Sequence, residues 1–159
     1  LNIKGVDFII NLQGDSPNLN PKIIIQLDSL MRKTNSEIGT LAAKIVDVKE
    51  IIDSNIVKVK TSEPLDDNNF LRAENFFREA KVKNISNIYH HIGLYSFTHS
   101  ALNKYVNLSK SKNEKIRSLE QMRLLDNNID INVGLASSSP LGVDTPNELE
   151  KIRKIMEYK

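Results

Sequence analysis

The sequence predicts an α/β fold, a sheet flanked by helices, and three observations carry that prediction. The run VDFIINL over 6–12 is apolar almost throughout, as suits a strand buried on both faces. Asn20-Pro21 then opens a stretch with Ile23, Ile24, Leu27, Leu30 and Met31 at helical spacing. Near the other end, IDINVGL over 129–135 alternates strictly, and Thr145-Pro146-Asn147-Glu148 reads as a capping box before a last helix. Strands that alternate with helices along a chain pack as α/β layers.

The elements follow in order. After the 6–12 strand, QGDSPNLN over 13–20 is rich in turn formers and makes a loop. Asn20 caps a helix over 21–33. IGTLAAKIV over 38–46 is a second strand, and 47–53 has room for one or two helical turns. NIVKVK over 55–60 alternates, which predicts a strand with one wet face. A polar loop over 61–69 precedes a short strand at 69–72, and the charged stretch 73–87 suits no element. IYHHIGLYSF over 88–97 is β-branched and aromatic, hence a strand. Thr98 caps a helix over 99–106. Residues 112–127 read as one helix with Ile116, Leu119, Met122 and Leu125 on its apolar face. A Ser-Pro-Gly loop at 137–142 leads to the last helix, with Leu149, Ile152 and Met156 facing the core.

The chain has 159 residues, enough for one domain over 1–159 with its own core. Its net charge of +2 comes from interspersed acids and bases, which makes no electrostatic case for nucleic acid or a membrane surface. No cysteine is present, which excludes disulfides and thiolate metal sites. The apolar runs are too short to span a bilayer and no signal peptide is visible, so a cytoplasmic protein is expected. The chain opens on Leu1 and runs at once into a strand, which reads as the middle of something longer.

Five motifs carry chemistry. Gln13-Gly14-Asp15 follows a buried strand, where open α/β sheets bind ligands. Asp15 is either an Asx-turn former or a carboxylate for magnesium. Asp144 lies just outside the capping box, to favour the helix dipole or to be a second metal ligand. In SLEQMR over 118–123, advancing about 100° per residue puts Arg123 inside the apolar arc and Glu120 just beyond it. These two read as an intrahelical ion pair or as a polar wall of a ligand site. In the strand HHIGLY, His91, Gly93 and Tyr95 share one face, and Gly93 leaves space for a sugar; the alternative is that His91 is a hydrogen-bonded core histidine. His90 and His99 read as surface or structural. Arg72, in Leu71-Arg72-Ala73, is either solvated or a partner for a substrate carboxylate.

In order and spacing, QGD-x-P, then R-A, HIGLY, SLEQMR and GVDTPNELE resemble the 3-deoxy-manno-octulosonate (Kdo) cytidylyltransferase family over nearly the whole chain. The resemblance implies a Rossmann-like nucleotidyltransferase sheet, usually in a homodimer. It implies transfer of a cytidylyl group from CTP to Kdo, with release of pyrophosphate, for lipopolysaccharide. By that resemblance Asp15 and Asp144 hold Mg²⁺ as the catalytic carboxylates. Gln13, Arg72, His91, Tyr95, Glu120 and Gln121 line the sugar-acid pocket.

Some residues depart from the family's pattern. Nothing matches its opening strand and basic loop, so the resemblance is to a chain without its first nucleotide-binding strands. Ser16 stands for the usual Glu, Arg117 stands where a Glu is common, and Glu74-Asn75-Phe76 replaces the residues that hold an Ile-Pro pair. The alternatives to a working enzyme are an inactive remnant and a non-catalytic sugar-acid-binding or oligomerising module.

Overall fold

The computed structural model describes residues 5–79, 85–137, 143 and 145–157. The 137–142 loop, except Ser137, lies outside them, and so does Asp144. Strand β1 spans Phe8–Leu12 and helix α1 Pro21–Thr34. Strand β2 is Ile38–Lys44, helix α2 Lys49–Ile52, β3 Lys58–Thr61 and β4 Phe70–Phe77. Strand β5 is Ile88–Thr98, followed by α3 His99–Asn107, α4 Lys112–Arg117 and α5 Met122–Asp126. Strand β6 is Asn132–Leu135 and α6 is Pro146–Glu157.

The strands lie in the order β1-β5-β2-β6-β4-β3, and β3 also pairs with β5. Strands β5, β2, β6, β4 and β3 therefore form a closed circuit of pairings. Only β2–β6 is parallel. Strand β1 lies outside the circuit and pairs with β5 alone, from Phe8↔Thr98 to Leu12↔Leu94. The 6–12 strand is thus an edge among the described residues, not a strand buried on both faces. Phe8, Ile9 and Ile10 are half-buried, and Asn11 and Leu12 are exposed.

Apolar side chains pack on both faces of the sheet. Helix α1 is capped by the Asn20 side chain, which accepts from the Lys22 N–H at 3.0 Å. It buries Ile23, Leu27, Leu30 and Met31 against Leu41, Phe70, Ile92 and Leu94. On the other face Leu119, Met122 and Leu124 meet Phe76, Tyr95, Phe97 and Val133. Strand β2 is buried on both faces from Ile38 to Ala43 because it runs through the middle of the sheet.

Four expectations change. The 112–127 helix breaks: Ser118 takes a left-handed φ of 52° that ends α4, and Ile116 is exposed. Strand β4 runs on to Phe77, through part of the stretch that suited no element, and its register against β3 shifts between Lys60 and Thr61. The wet face of β3 is only half where alternation puts it, with Lys60 exposed as expected. Lys58 is fully buried, and its ammonium donates to the carbonyls of Asp53, Ile56 and Arg78. In α6 only Ile152 is buried, while Leu149 and Met156 are exposed.

Candidate active site

A cleft of about 830 Å³ opens between the loop after β1, the middle of β5 and the turn joining α4 to α5. Gln13, Asp15, His91, Tyr95, Glu120 and Gln121 all border it. The segments that carry them reach from Gln13 to Gln121 in sequence, and the sheet brings them together.

Each element positions its residue for a physical reason. Strand β1 ends at Leu12 opposite Leu94, so Gln13 emerges beside Gly93. A Cβ on Gly93 would lie 2.5 Å from Gln13 Oε1. The space above Gly93 is therefore taken by the Gln13 amide, not left for a ligand. The Val143 N–H donates to the Asp15 carbonyl at 2.9 Å, which ties the QGD loop to the GVDTP segment. Thr145 and Glu148 form the expected capping box, with bonds of 2.8, 2.9 and 3.3 Å, and Glu148 reaches the cleft.

The turn after Ser118 carries Glu120 and Gln121. Arg123 does not pair with Glu120. It grips Glu114 of α4 in a buried two-pronged ion pair, at 2.8 and 2.5 Å. Its guanidinium also lies over the Tyr105 ring, 4.8 Å from the centroid. The break in the helix puts Glu114 within reach and leaves Glu120 to the cleft, where the Tyr105 hydroxyl donates to it at 3.5 Å. The Arg117 guanidinium donates to Asn75 Oδ1 at 2.5 Å and to the Phe76 carbonyl at 2.9 Å.

Electrostatics separates the His91 and Tyr95 rings of β5. Burial drives the His91 pKa down to about 3, with His90 nearby acting in the same direction, so the ring is neutral. Burial raises the Tyr95 phenol well above its ordinary value, and its hydroxyl has no hydrogen-bond partner among the described residues. The His91 and Tyr95 rings lie 5.3 Å apart, on one side as expected.

Arg72 is not in the cleft. It pairs with Asp130 at 2.8 Å and is more than half exposed. The arginine that does border the cleft is Arg78, which donates to the Ser54 and Asn55 carbonyls. It lies in the stretch where strand alternation fails, and nothing local in the sequence marked it. His90 also borders the cleft, with Nδ1 3.0 Å from Glu50 Oε2.

Among the described residues no group of three or more His, Asp or Glu side chains is arranged for a metal ion. Magnesium does not need such a cage. It is commonly held by one or two carboxylates with substrate phosphates and water. The exposed Asp15 carboxylate, whose neighbour is the Ser16 hydroxyl at 3.5 Å, suits that use.

The sheet and its helices are those of known nucleotidyltransferases. A solved structure of CMP:2-keto-3-deoxy-manno-octonic acid synthetase complexed with CTP superposes on the chain with a TM-score of 0.82 at 31% identity. It covers 97% of this chain and 63% of that one. A 4-diphosphocytidyl-2C-methyl-D-erythritol synthase from Anaerococcus prevotii, TM-score 0.58 at 12% identity, covers 98% of this chain and 61% of its own, and shares the fold. Curated 3-deoxy-manno-octulosonate cytidylyltransferases from Bartonella henselae and Thermodesulfovibrio yellowstonii are 42% and 39% identical, over 93% and 98% of this chain. The chain spans 60% and 62% of their respective lengths. No helix among the described residues is long and apolar enough to cross a membrane. A family model described as Cytidylyltransferase matches residues 2–131, most of the sheet and the QGD, HIGLY and SLEQMR segments, and the chain belongs to that cytidylyltransferase family.

Proposed function

We propose that this chain is the sugar-acid side of a Kdo cytidylyltransferase, which transfers a cytidylyl group from CTP to a Kdo hydroxyl and releases pyrophosphate. One observation carries the reading: six residues from three separate motifs border a single cleft. The relatives' names and the CTP-bound neighbour support the choice of substrates.

The chemistry is in-line displacement at the α-phosphate, and it is governed by positioning and charge. Arg78, not Arg72, offers the cation for the sugar carboxylate, because it is the arginine on the cleft wall. Glu120 accepts from sugar hydroxyls, and the Gln13 and Gln121 amides both donate and accept. Asp15, with Asp144, would hold magnesium, which supplies neutralisation of the phosphate charge. A cytoplasmic location accords with substrates of this kind.

The test joins this chain to the part of the Bartonella henselae relative that it does not span. Magnesium-dependent pyrophosphate release is then measured with CTP and Kdo. Turnover is expected, and Asp15→Asn is expected to lower it by roughly a hundred-fold or more, a loss of about 3 kcal/mol of transition-state stabilisation. Turnover at the unsubstituted rate in Asp15→Asn would refute the role given to Asp15.

A further inference from the structure

The Thr40 hydroxyl is fully buried and lies among three polar atoms. It is 2.7 Å from the Leu94 carbonyl, 3.2 Å from the Ile92 carbonyl and 3.0 Å from His91 Nε2. The cause is a bulge. The register of β2 on β5 runs Thr40↔Tyr95 and then Leu41↔Ile92, so two carbonyls of β5 crowd one side chain of β2.

Two oxygens 2.7 Å apart need a hydrogen between them, and a carbonyl has none to give. Thr40 has a single hydroxyl proton, and it goes to Leu94. Toward His91, Thr40 has only a lone pair, so Nε2 must be the donor. A neutral imidazole with its proton on Nε2 has a bare lone pair on Nδ1. Burial keeps this ring neutral, as its lowered pKa records. Nδ1 has no hydrogen-bond partner among the described residues, and His91 is one of the residues that line the cleft. The edge-to-face contact with Phe76, 5.1 Å between centroids, helps to hold the ring's orientation.

We infer that Thr40 is a positioning residue that locks His91 in the Nε2–H tautomer, so that the cleft presents at Nδ1 a hydrogen-bond acceptor and never a donor. Such an atom takes a hydroxyl or N–H of the ligand and disfavours a carboxylate or phosphate oxygen. It orients a polyhydroxylated acid with a hydroxyl on His91 and its carboxylate elsewhere. That last step rests on the sugar-acid reading above; the tautomer does not.

Nitrogen-15 spectra of the imidazoles decide it on the chain itself. The expected spectrum has a protonated Nε2 and a pyridine-like Nδ1 for His91, unchanged at pH values where an exposed histidine has gained its second proton. A ring protonated on Nδ1, a mixture of tautomers, or titration of His91 in the ordinary histidine range would overturn the lock. Thr40→Val is expected to give mixed tautomers, and Thr40→Ser to restore the single one. A pure Nε2–H ring in Thr40→Val would overturn the role of Thr40. If Thr40→Val does not fold, the spectra of the unsubstituted chain and of Thr40→Ser still decide the tautomer. Addition of Kdo is expected to move the Nδ1 resonance. A locked ring that ignores Kdo would leave the tautomer standing and overturn the sugar-acid reading.

Discussion

Gly93 and Gly39 differ in what a methyl group would strike. On Gly93 it would meet the far end of the Gln13 side chain, which can swing away. On Gly39 it would meet Met31 Sδ and the Phe70 ring, both at 2.5 Å and both in the core. Gly93→Ala is therefore expected to lower the melting temperature little, yet to displace the Gln13 amide and weaken the proposed sugar-acid binding roughly ten-fold. Gly39→Ala is expected to cost about 1–3 kcal/mol through overpacking. Thermal melts and calorimetric titration of both variants check this, and a Gly93→Ala that binds as well as the parent would remove Gln13 from the site. The motif around Gly93 was legible in the sequence, and so was the open space over it, which was read as room for a sugar. That Gln13 fills the gap was not legible, because it depends on the non-local pairing of β1 with β5.

At the scale of elements, periodicity read the strong signals and failed where the backbone departs from it. Helices α1 and α3 start on the cap residues expected, Asn20 and Thr98. The 112–127 pattern looked continuous because Leu119 and Met122 are indeed buried, but Ser118 interrupts the helix between them and Ile116. Spacing along an ideal helix then paired Arg123 with the wrong carboxylate. The true partner, Glu114, also completes a capping box with Ser111. Strand β4 was half missed because its shifted register spoils strict alternation, and Arg78 was lost with it.

The buried Arg123–Glu114 pair makes a prediction about acid. The guanidinium, before any other cause, holds the Glu114 carboxyl below its ordinary value near 4.5. A group whose folded value is depressed contributes stability that is complete above its unfolded value and lost as pH falls through the folded one. Arg123→Met is expected to destabilise the fold by roughly 3 kcal/mol near neutral pH, because it strands a buried carboxylate. It is also expected to flatten the loss of stability as pH falls from the ordinary carboxyl value near 4.5 through the lower value Glu114 has in the fold. Denaturant unfolding across pH measures both. An unchanged acid slope in Arg123→Met would mean that this pair does not govern it.

For the whole molecule, alternation of strand and helix was enough to predict an α/β sheet, and local patterns placed most of its elements. The closed circuit of β5, β2, β6, β4 and β3 was not readable, since strand order depends on contacts between distant segments. The same circuit explains why scattered motifs make one site: β5 contributes the cleft's middle, β1 brings Gln13 and Asp15 to its edge, and the α4–α5 turn faces them. Arg72 shows the limit of a motif. It lies in the right tripeptide, but its strand points it at Asp130.

The measurement that bears most directly on the proposal that this cleft takes a sugar acid is calorimetric titration of the chain with Kdo, repeated on Glu120→Ala and Gln121→Ala. Saturable binding is expected, weakened roughly ten-fold or more in each variant. No saturable binding, or binding that both variants leave untouched, would contradict the assignment of this cleft to the sugar acid.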